Sequence, residues 1–369
     1  KYKKEIKILN ILFLLFNYSK EDNLPIFIKS KFSEIHLTII GNGIQNRLGD
    51  SFPIEPYDIL VNGISKKDMC SKSCELESEL TNITLIFQEQ IETCENMFRD
   101  AINIKEIDLS RFDASKITNM SSMFYNCSNL EKINFGNINT SSIENMNELF
   151  ENCKSIKSLD VSKFDTSQVT TMSRMFGYCE SLKSLDVSNF NTAKVINMFD
   201  MFAYCYKIVT INCSSFETSQ TENLQGMFYL CYDLKYLDIS NFDSSSAITV
   251  NSLFLGCYSL VYINCKSLKY INDVIYTTFV QLNPNLKLCI DDIPTKNILF
   301  GEDYYLNCDD ICFKENIKID MYKNICIFEC NINQYEYNKI CYKECPDTNP
   351  ILINNKKTCI ETVPNNYYF

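Results

Sequence analysis

The chain has 369 residues, a formal charge of −11 and 46% apolar residues, so it can bury a sizeable core and is not a disordered polymer. Its lysines and arginines are dispersed, which argues against a nucleic-acid partner, because phosphate binding needs a clustered basic face. One histidine, His36, and no G-x-S-x-G motif leave little material for a catalytic triad or a His-based metal site, so a binding protein without a cofactor is expected rather than an enzyme.

The basic start KYKKEIK is followed by the apolar run Ile8 to Phe16 and the polar NYSKED. That layout predicts a secretory signal peptide over 1–20. The apolar run is short for the ~30 Å hydrocarbon core of a bilayer, and no later run is longer, so no transmembrane segment is expected. Over 21–91 short alternating runs (SEIHLTIIGNGIQ, YDILVNGI, LTNITLIF) end in Gly and Pro and predict strands joined by turns. The GNG within them lacks the Lys-Ser/Thr of a phosphate loop. A β-rich cap of this kind would cover the open end of whatever stacks beyond it.

From Asn103 to Tyr258 a unit of 26 residues repeats six times without insertion, and a degenerate copy around Asn96-Met97-Phe98 precedes it. Such a period predicts stacked coils over 92–285. Positions such as Leu182, Leu185 and Val187 have the L-x-x-L-x-L spacing of a strand. Met120, Met123, Phe124 and Cys127 fall at i, i+3, i+4 and i+7, which predicts one face of a short helix. The intervening F-D-T-S supplies a buried Phe and turn formers. The expected fold is therefore an α/β repeat, a solenoid of strand-turn-short-helix units. The pattern L-x-x-L-D-V-S-N-F-x-T followed by V-x-N-M-x-x-M-F-x-x-C resembles the BspA-type leucine-rich repeat, also described as the mycoplasma surface-lipoprotein repeat. The resemblance implies a secreted or surface protein that adheres to host proteins or neighbouring cells. The second copy departs from it, with Phe135-Gly136 and Ile138 in place of Val-Ser and Phe.

Fourteen of the nineteen cysteines fall into two groups, and Cys70, Cys74, Cys94, Cys213 and Cys265 make up the rest. Cys127, Cys153, Cys179, Cys205, Cys231 and Cys257 recur once per unit beside Met and Phe, and read as a ladder of buried thiols, although coils about 5 Å apart do not exclude neighbouring disulfides. Cys213 and Cys265, at an inward strand position, read the same way. Cys289, Cys308, Cys312, Cys326, Cys330, Cys341, Cys345 and Cys359 crowd a low-core module at 286–369 and predict a disulfide framework. Short loops favour Cys289–Cys308, Cys312–Cys326, Cys330–Cys341 and Cys345–Cys359, with Cys308–Cys326 and Cys312–Cys330 as the alternative. Through C-Y-K-E-C-P this module also resembles the furin-like or growth-factor-receptor cysteine-rich type, which implies an oxidising compartment.

Candidate contact residues follow from the strand alternation. Asp160, Asp186 and Asp238 should point outward, and a calcium row there is disfavoured because nearby lysines offset the charge. Tyr206, Tyr232 and Tyr258 occupy one position in three successive copies, and Tyr236 and Tyr262 an outward strand position. Tyrosines so placed are candidate anchors for a protein partner, or else a stack covering a turn. Asn82, in an N-x-T sequon, is the best glycosylation candidate. The expected function is adhesion to a protein or glycoprotein on another cell or matrix, from an extracellular or cell-surface location. A self-associating coat component is the alternative.

Overall fold

A computed structural model describes residues 32–268 continuously, then 278, 282–283, 286–289 and six short strands between 318 and 360. The expected signal peptide at 1–20 lies outside the described residues.

The cap forms where its alternating runs demand. Strands β1 (Ser33–Ile40), β2 (Gly43–Asn46), β3 (Asp58–Val61), β4 (Ile64–Ser65), β5 (Ser73–Leu76) and β6 (Leu80–Phe87) follow in order. In β1 every second residue is buried, as a half-covered strand requires. Asn62-Gly63, both with positive φ, close the tight β3–β4 hairpin. β1 lies between β6 and β7 (Ile104–Arg111), antiparallel to both, and β7 pairs in parallel with β8 (Lys132–Asn134). The cap thus donates an edge-covering strand to the first coil. Cys70 and Cys74 form a disulfide.

The cap also buries a cost. Arg47 is 0% exposed, and its Nε and both Nη atoms have no hydrogen-bond partner among the described residues. Burial lowers its pKa to about 10, against the opposing pull of Glu55. A buried guanidinium without acceptors is destabilising, and an unbranched apolar side chain of similar length removes that cost. Arg47→Met is expected to raise unfolding free energy by about 1–4 kcal/mol in urea titrations. An unchanged or lower midpoint would show that the guanidinium is satisfied in solution.

The coils contain no helix among residues 92–268, which corrects the expected strand-turn-helix unit: the repeat is a β-solenoid of about six turns. On one side, β9 (Ser184–Asp186), β10 (Thr210–Asn212), β11 (Tyr236–Asp238), β12 (Tyr262–Asn264) and β13 (Lys287–Cys289) pair in parallel, in sequence order. The stack therefore runs a few residues past 285, and Cys289 belongs to its last strand. On the other side single parallel bridges join Thr93, Asn119, Asn145, Thr171, Asn197, Asn223 and Thr249.

Where a helix was expected, the chain makes an arc of successive turns. Ser122 and Asn126 have φ of 54° and 57°, which no right-handed helix admits, and the equivalent residues of the other coils also have positive φ. Alternate N–H groups leave the coil: Ser122 donates to the carbonyl of Asn147 (2.8 Å), Phe124 to Leu149 (3.0 Å) and Asn126 to Glu151 (2.8 Å). The others close turns within the coil, as Met123 does on Met120 (3.2 Å) and Cys127 on Phe124 (3.1 Å). The physical reason is spacing. Helices pack 8–10 Å apart and strands about 4.8 Å apart. Here the arc keeps nearly the strand spacing, as the rings of Phe98, Phe124, Phe150, Phe176, Phe202, Phe228 and Phe254 stack at 5.4–5.8 Å.

Two devices hold the corners. Asx turns cap them: Asp160 accepts from the N–H of Ser162, Asp165 from Ser167, and Asn145 from Asn147. Buried threonines tie coil to coil, for Thr166 Oγ1 donates to the Asn191 carbonyl (2.9 Å) and accepts from the same residue's N–H (2.8 Å). Thr140, Thr192 and Thr218 donate to the following coil in the same way. The divergent second copy seats Phe135 edge-on against Phe164 (4.9 Å) and Phe150 (6.2 Å), and no strand is formed in the coil that follows it.

Candidate functional site: a charged and aromatic face on the arc

The recurring residues of the arc point inward and hold the stack. Each of the six repeat thiols is buried and free, and donates to the carbonyl of a Phe 29 residues earlier, for example Cys205 to Phe176 (3.1 Å). The thiol ladder therefore stands, and Cys213 and Cys265 are buried thiols as well. Function has to be sought in the arc positions where the copies differ.

Those positions form three columns, one residue per coil. The first runs Ser122, Glu148, Arg174, Asp200, Gly226; the second Tyr125, Glu151, Gly177, Ala203, Tyr229; the third Asn126, Asn152, Tyr178, Tyr204, Leu230. All of the first and third columns have positive φ, including Glu148, Arg174, Tyr178 and Tyr204, whose side chains disfavour it. Gly226 is forced: a Cβ there would lie 2.1 Å from the Asp200 carboxylate.

The charges pair across coils. Arg99 reaches Glu148 (3.5 Å) over the ring of Tyr125 (3.8 Å to its centroid), and Ser122 donates to the same carboxylate (2.8 Å). Arg174 pairs with Asp200 (3.6 Å) and lies over Phe199 (4.9 Å). Between them Glu151 is 5% exposed, and its Oε2 has no hydrogen-bond partner among the described residues. Burial pushes its pKa up to about 7, against the pull of Arg174. Burial also raises that of Asp200, again opposed by Arg174.

Beside the charges lies a continuous run of six tyrosines. Tyr178 stacks on Tyr204 (4.0 Å), Tyr204 meets Tyr229 (5.1 Å) and Tyr206 (6.1 Å) edge-on, and Tyr206, Tyr232 and Tyr258 stack at 4.9 and 5.4 Å. Tyr232 is 36% and Tyr258 51% exposed. The expected column of Tyr206, Tyr232 and Tyr258 is thus assembled. Tyr178, Tyr204 and Tyr229, which sequence reasoning passed over, extend it. Their only signal was that they interrupt the repeat at arc positions.

The other candidates are placed differently. Tyr236 is half-buried and Tyr262 is 1% exposed. Alternation does aim Tyr262 away from the coil interior, but every residue of β12 is buried, so its outer face is covered there. Asp160, Asp186 and Asp238 each accept the N–H of the serine two residues on, at 3.0 Å, and so serve as corner caps. Ser162 and Ser188, through their side chains and N–H groups, hold Asp160 and Asp186 below the usual carboxylate range. No His/Cys/Asp/Glu grouping among the described residues could hold a metal ion. Asn82 is exposed on β6 and accepts a hydrogen bond from Thr38 (3.3 Å). Cys289 is disulfide-bonded, while Cys308, Cys312, Cys330 and Cys345 lie outside the described residues. Cys326, Cys341 and Cys359 lie on short strands whose side chains, and with them the expected framework, fall outside what the structure describes.

The family model described as Mycoplasma protein of unknown function, DUF285, matches residues 92–209 and 150–268. The coils are what it matches. Its two overlapping spans begin at the degenerate first copy and end just after β12, leaving the cap and the cysteine-rich segment outside. No curated protein and no solved structure matches the chain. Among the described residues no helix is long and apolar enough to cross a membrane.

Proposed function

We propose that the chain is a secreted or cell-surface adhesion protein that binds a protein or glycoprotein through the arc face, without catalysis. The six joined tyrosines carry this reading. Tyrosine offers a large rigid surface with a polar tip and anchors interfaces at low entropic cost, and here the rings of several coils are fixed by one another. The Cys70–Cys74 disulfide supports an oxidising compartment. The family match to the coils fits a repeat-bearing surface protein.

Binding of the purified chain to intact cells and to immobilised matrix glycoproteins tests the reading, with Tyr232→Ala/Tyr258→Ala as the variant. Both tyrosines are at least 36% exposed, so the double variant should keep its circular dichroism spectrum while losing about 10-fold or more in affinity. Equal binding by the variant would refute the tyrosine face. Concentration-dependent assembly of the chain alone in the ultracentrifuge, abolished by the same substitutions, would assign the face to self-association in a coat.

A further inference from the structure

We infer that Tyr178 and Tyr204 form an oxidative cross-linking site, where a peroxide-driven one-electron oxidant, acting through the exposed Tyr232 and Tyr258, joins the two rings as dityrosine. The inference goes beyond adhesion and does not depend on what the arc face binds.

Three observations carry it. First, the two rings are already in place. Their centroids lie 4.0 Å apart and their planes differ by 9°, whereas the phenylalanine rings of the arc keep the coil spacing at 5.4–5.8 Å. Carbon atoms touch at about 3.5–4.0 Å, so the two tyrosine rings are in face-to-face contact. The same left-handed backbone at both residues, with φ of 58° and 63°, launches both side chains in one direction. A hydrogen bond to Tyr178 is the main cause that raises the Tyr204 pKa, so the two hydroxyls adjoin at one edge of the stack. The ortho carbons beside them, which carry much of the unpaired electron of a phenoxyl radical, therefore face one another. Second, an oxidant outside the protein has a route to this pair. Tyr258 and Tyr232 are 51% and 36% exposed, and the rings lead from them through Tyr206 to Tyr204 in steps of 5.4, 4.9 and 6.1 Å. An electron taken from an exposed ring is thus replaced from its neighbour until the vacancy reaches the contact pair. Third, one-electron oxidation falls on tyrosine in this chain. It has no tryptophan, and the nine free cysteines among the described residues are buried, where thiols are inert.

The chemistry balances. Each phenol gives up one electron and its hydroxyl proton, the two ortho carbons form a C–C bond, and the hydrogen on each moves to its ring oxygen and restores the phenol. The two electrons and two protons reduce one molecule of hydrogen peroxide to two of water. Because the rings are held in contact, coupling within the chain outruns encounter between chains. The product closes a loop of one period in the unfolded chain, as a disulfide would, and so raises the urea midpoint.

The test exposes the full chain, diluted until it sediments as a monomer, to hydrogen peroxide and a haem peroxidase. Dityrosine fluorescence should appear on a chain that still runs as a monomer in a reducing, denaturing gel. Trypsin should release Met175–Lys183 joined to Val195–Lys207, lighter by two hydrogen atoms than their sum, with fragmentation placing the bond at Tyr178 and Tyr204. Tyr204→Phe keeps the ring and the stack but forms no phenoxyl radical, so it should abolish the linked peptide and most of the fluorescence with an unchanged circular dichroism spectrum. Tyr232→Phe/Tyr258→Phe should slow formation of the link severalfold. Undiminished fluorescence in Tyr204→Phe, an equal rate in the double variant, or covalent dimers without the linked peptide overturns the inference.

Discussion

Raising the pH from 8 to 10 is expected to unfold the coils. Nine cysteines of the described residues are free and buried. Burial drives their pKa values upward, to about 12 for Cys205, Cys257 and Cys265. In the unfolded chain the same thiols ionise near ~8.5. Below that value both states hold the proton and the thiols leave stability unchanged with pH. Above it the unfolded state binds fewer protons, so stability falls as pH rises, and keeps falling until the folded thiols themselves ionise, at about 12 for Cys205, Cys257 and Cys265. The limiting slope is ~1.4 kcal/mol per pH unit for each thiol, roughly 12 kcal/mol for all nine, against a typical domain stability of ~5–15 kcal/mol. Urea midpoints at pH 7, 8.5 and 9.5 read this directly. In Cys179→Ala/Cys205→Ala the slope should diminish by about two protons' worth. A midpoint that holds from pH 7 to 9.5 would mean that the ladder is open to solvent.

Phe176→Ala is expected to cost about 3–5 kcal/mol. Its ring is 0% exposed at the middle of the arc stack, between Phe150 (5.6 Å) and Phe202 (5.5 Å). Its N–H reaches the Met201 carbonyl of the next coil and its own carbonyl receives the Cys205 thiol. A cavity there weakens two coil-to-coil interfaces at once. Solenoid stability is approximately a sum of coil and interface contributions, so the single urea transition should broaden or split into two. An alanine at Phe254, the last ring of the stack among the described residues, should leave a single transition. A sharp, unshifted transition in Phe176→Ala would show that the stack adds little to the thread of backbone hydrogen bonds.

The correction of the fold class has the same origin as the discovery of the site. Met120, Met123, Phe124 and Cys127 announce that they face inward, and they do. A helix and an arc of turns place the same four residues on one face. They differ only in whether an N–H closes on its own chain or crosses to the next coil, and side-chain identity does not encode that choice. Had the segment been a helix, Glu148, Glu151 and Arg174 would have read as solvated outer residues. The arc instead stacks them, and the charges that act on Glu151 include Arg174, Asp200 and Arg99, 23 to 52 residues away along the chain.

The 26-residue period, the inward Leu, Phe, Met and Cys, the thiol ladder, the turn-forming Asp corners and most of the cap strands are legible in the sequence, because each of these follows from spacing along one chain. Coil-to-coil contacts alone make the unit a β-coil, cover Tyr262, and bring six tyrosines together beside the buried Glu151. Those outcomes depend on equal rise on both sides of the coil and on which variable positions land side by side when coils stack, and neither is a property of any single copy.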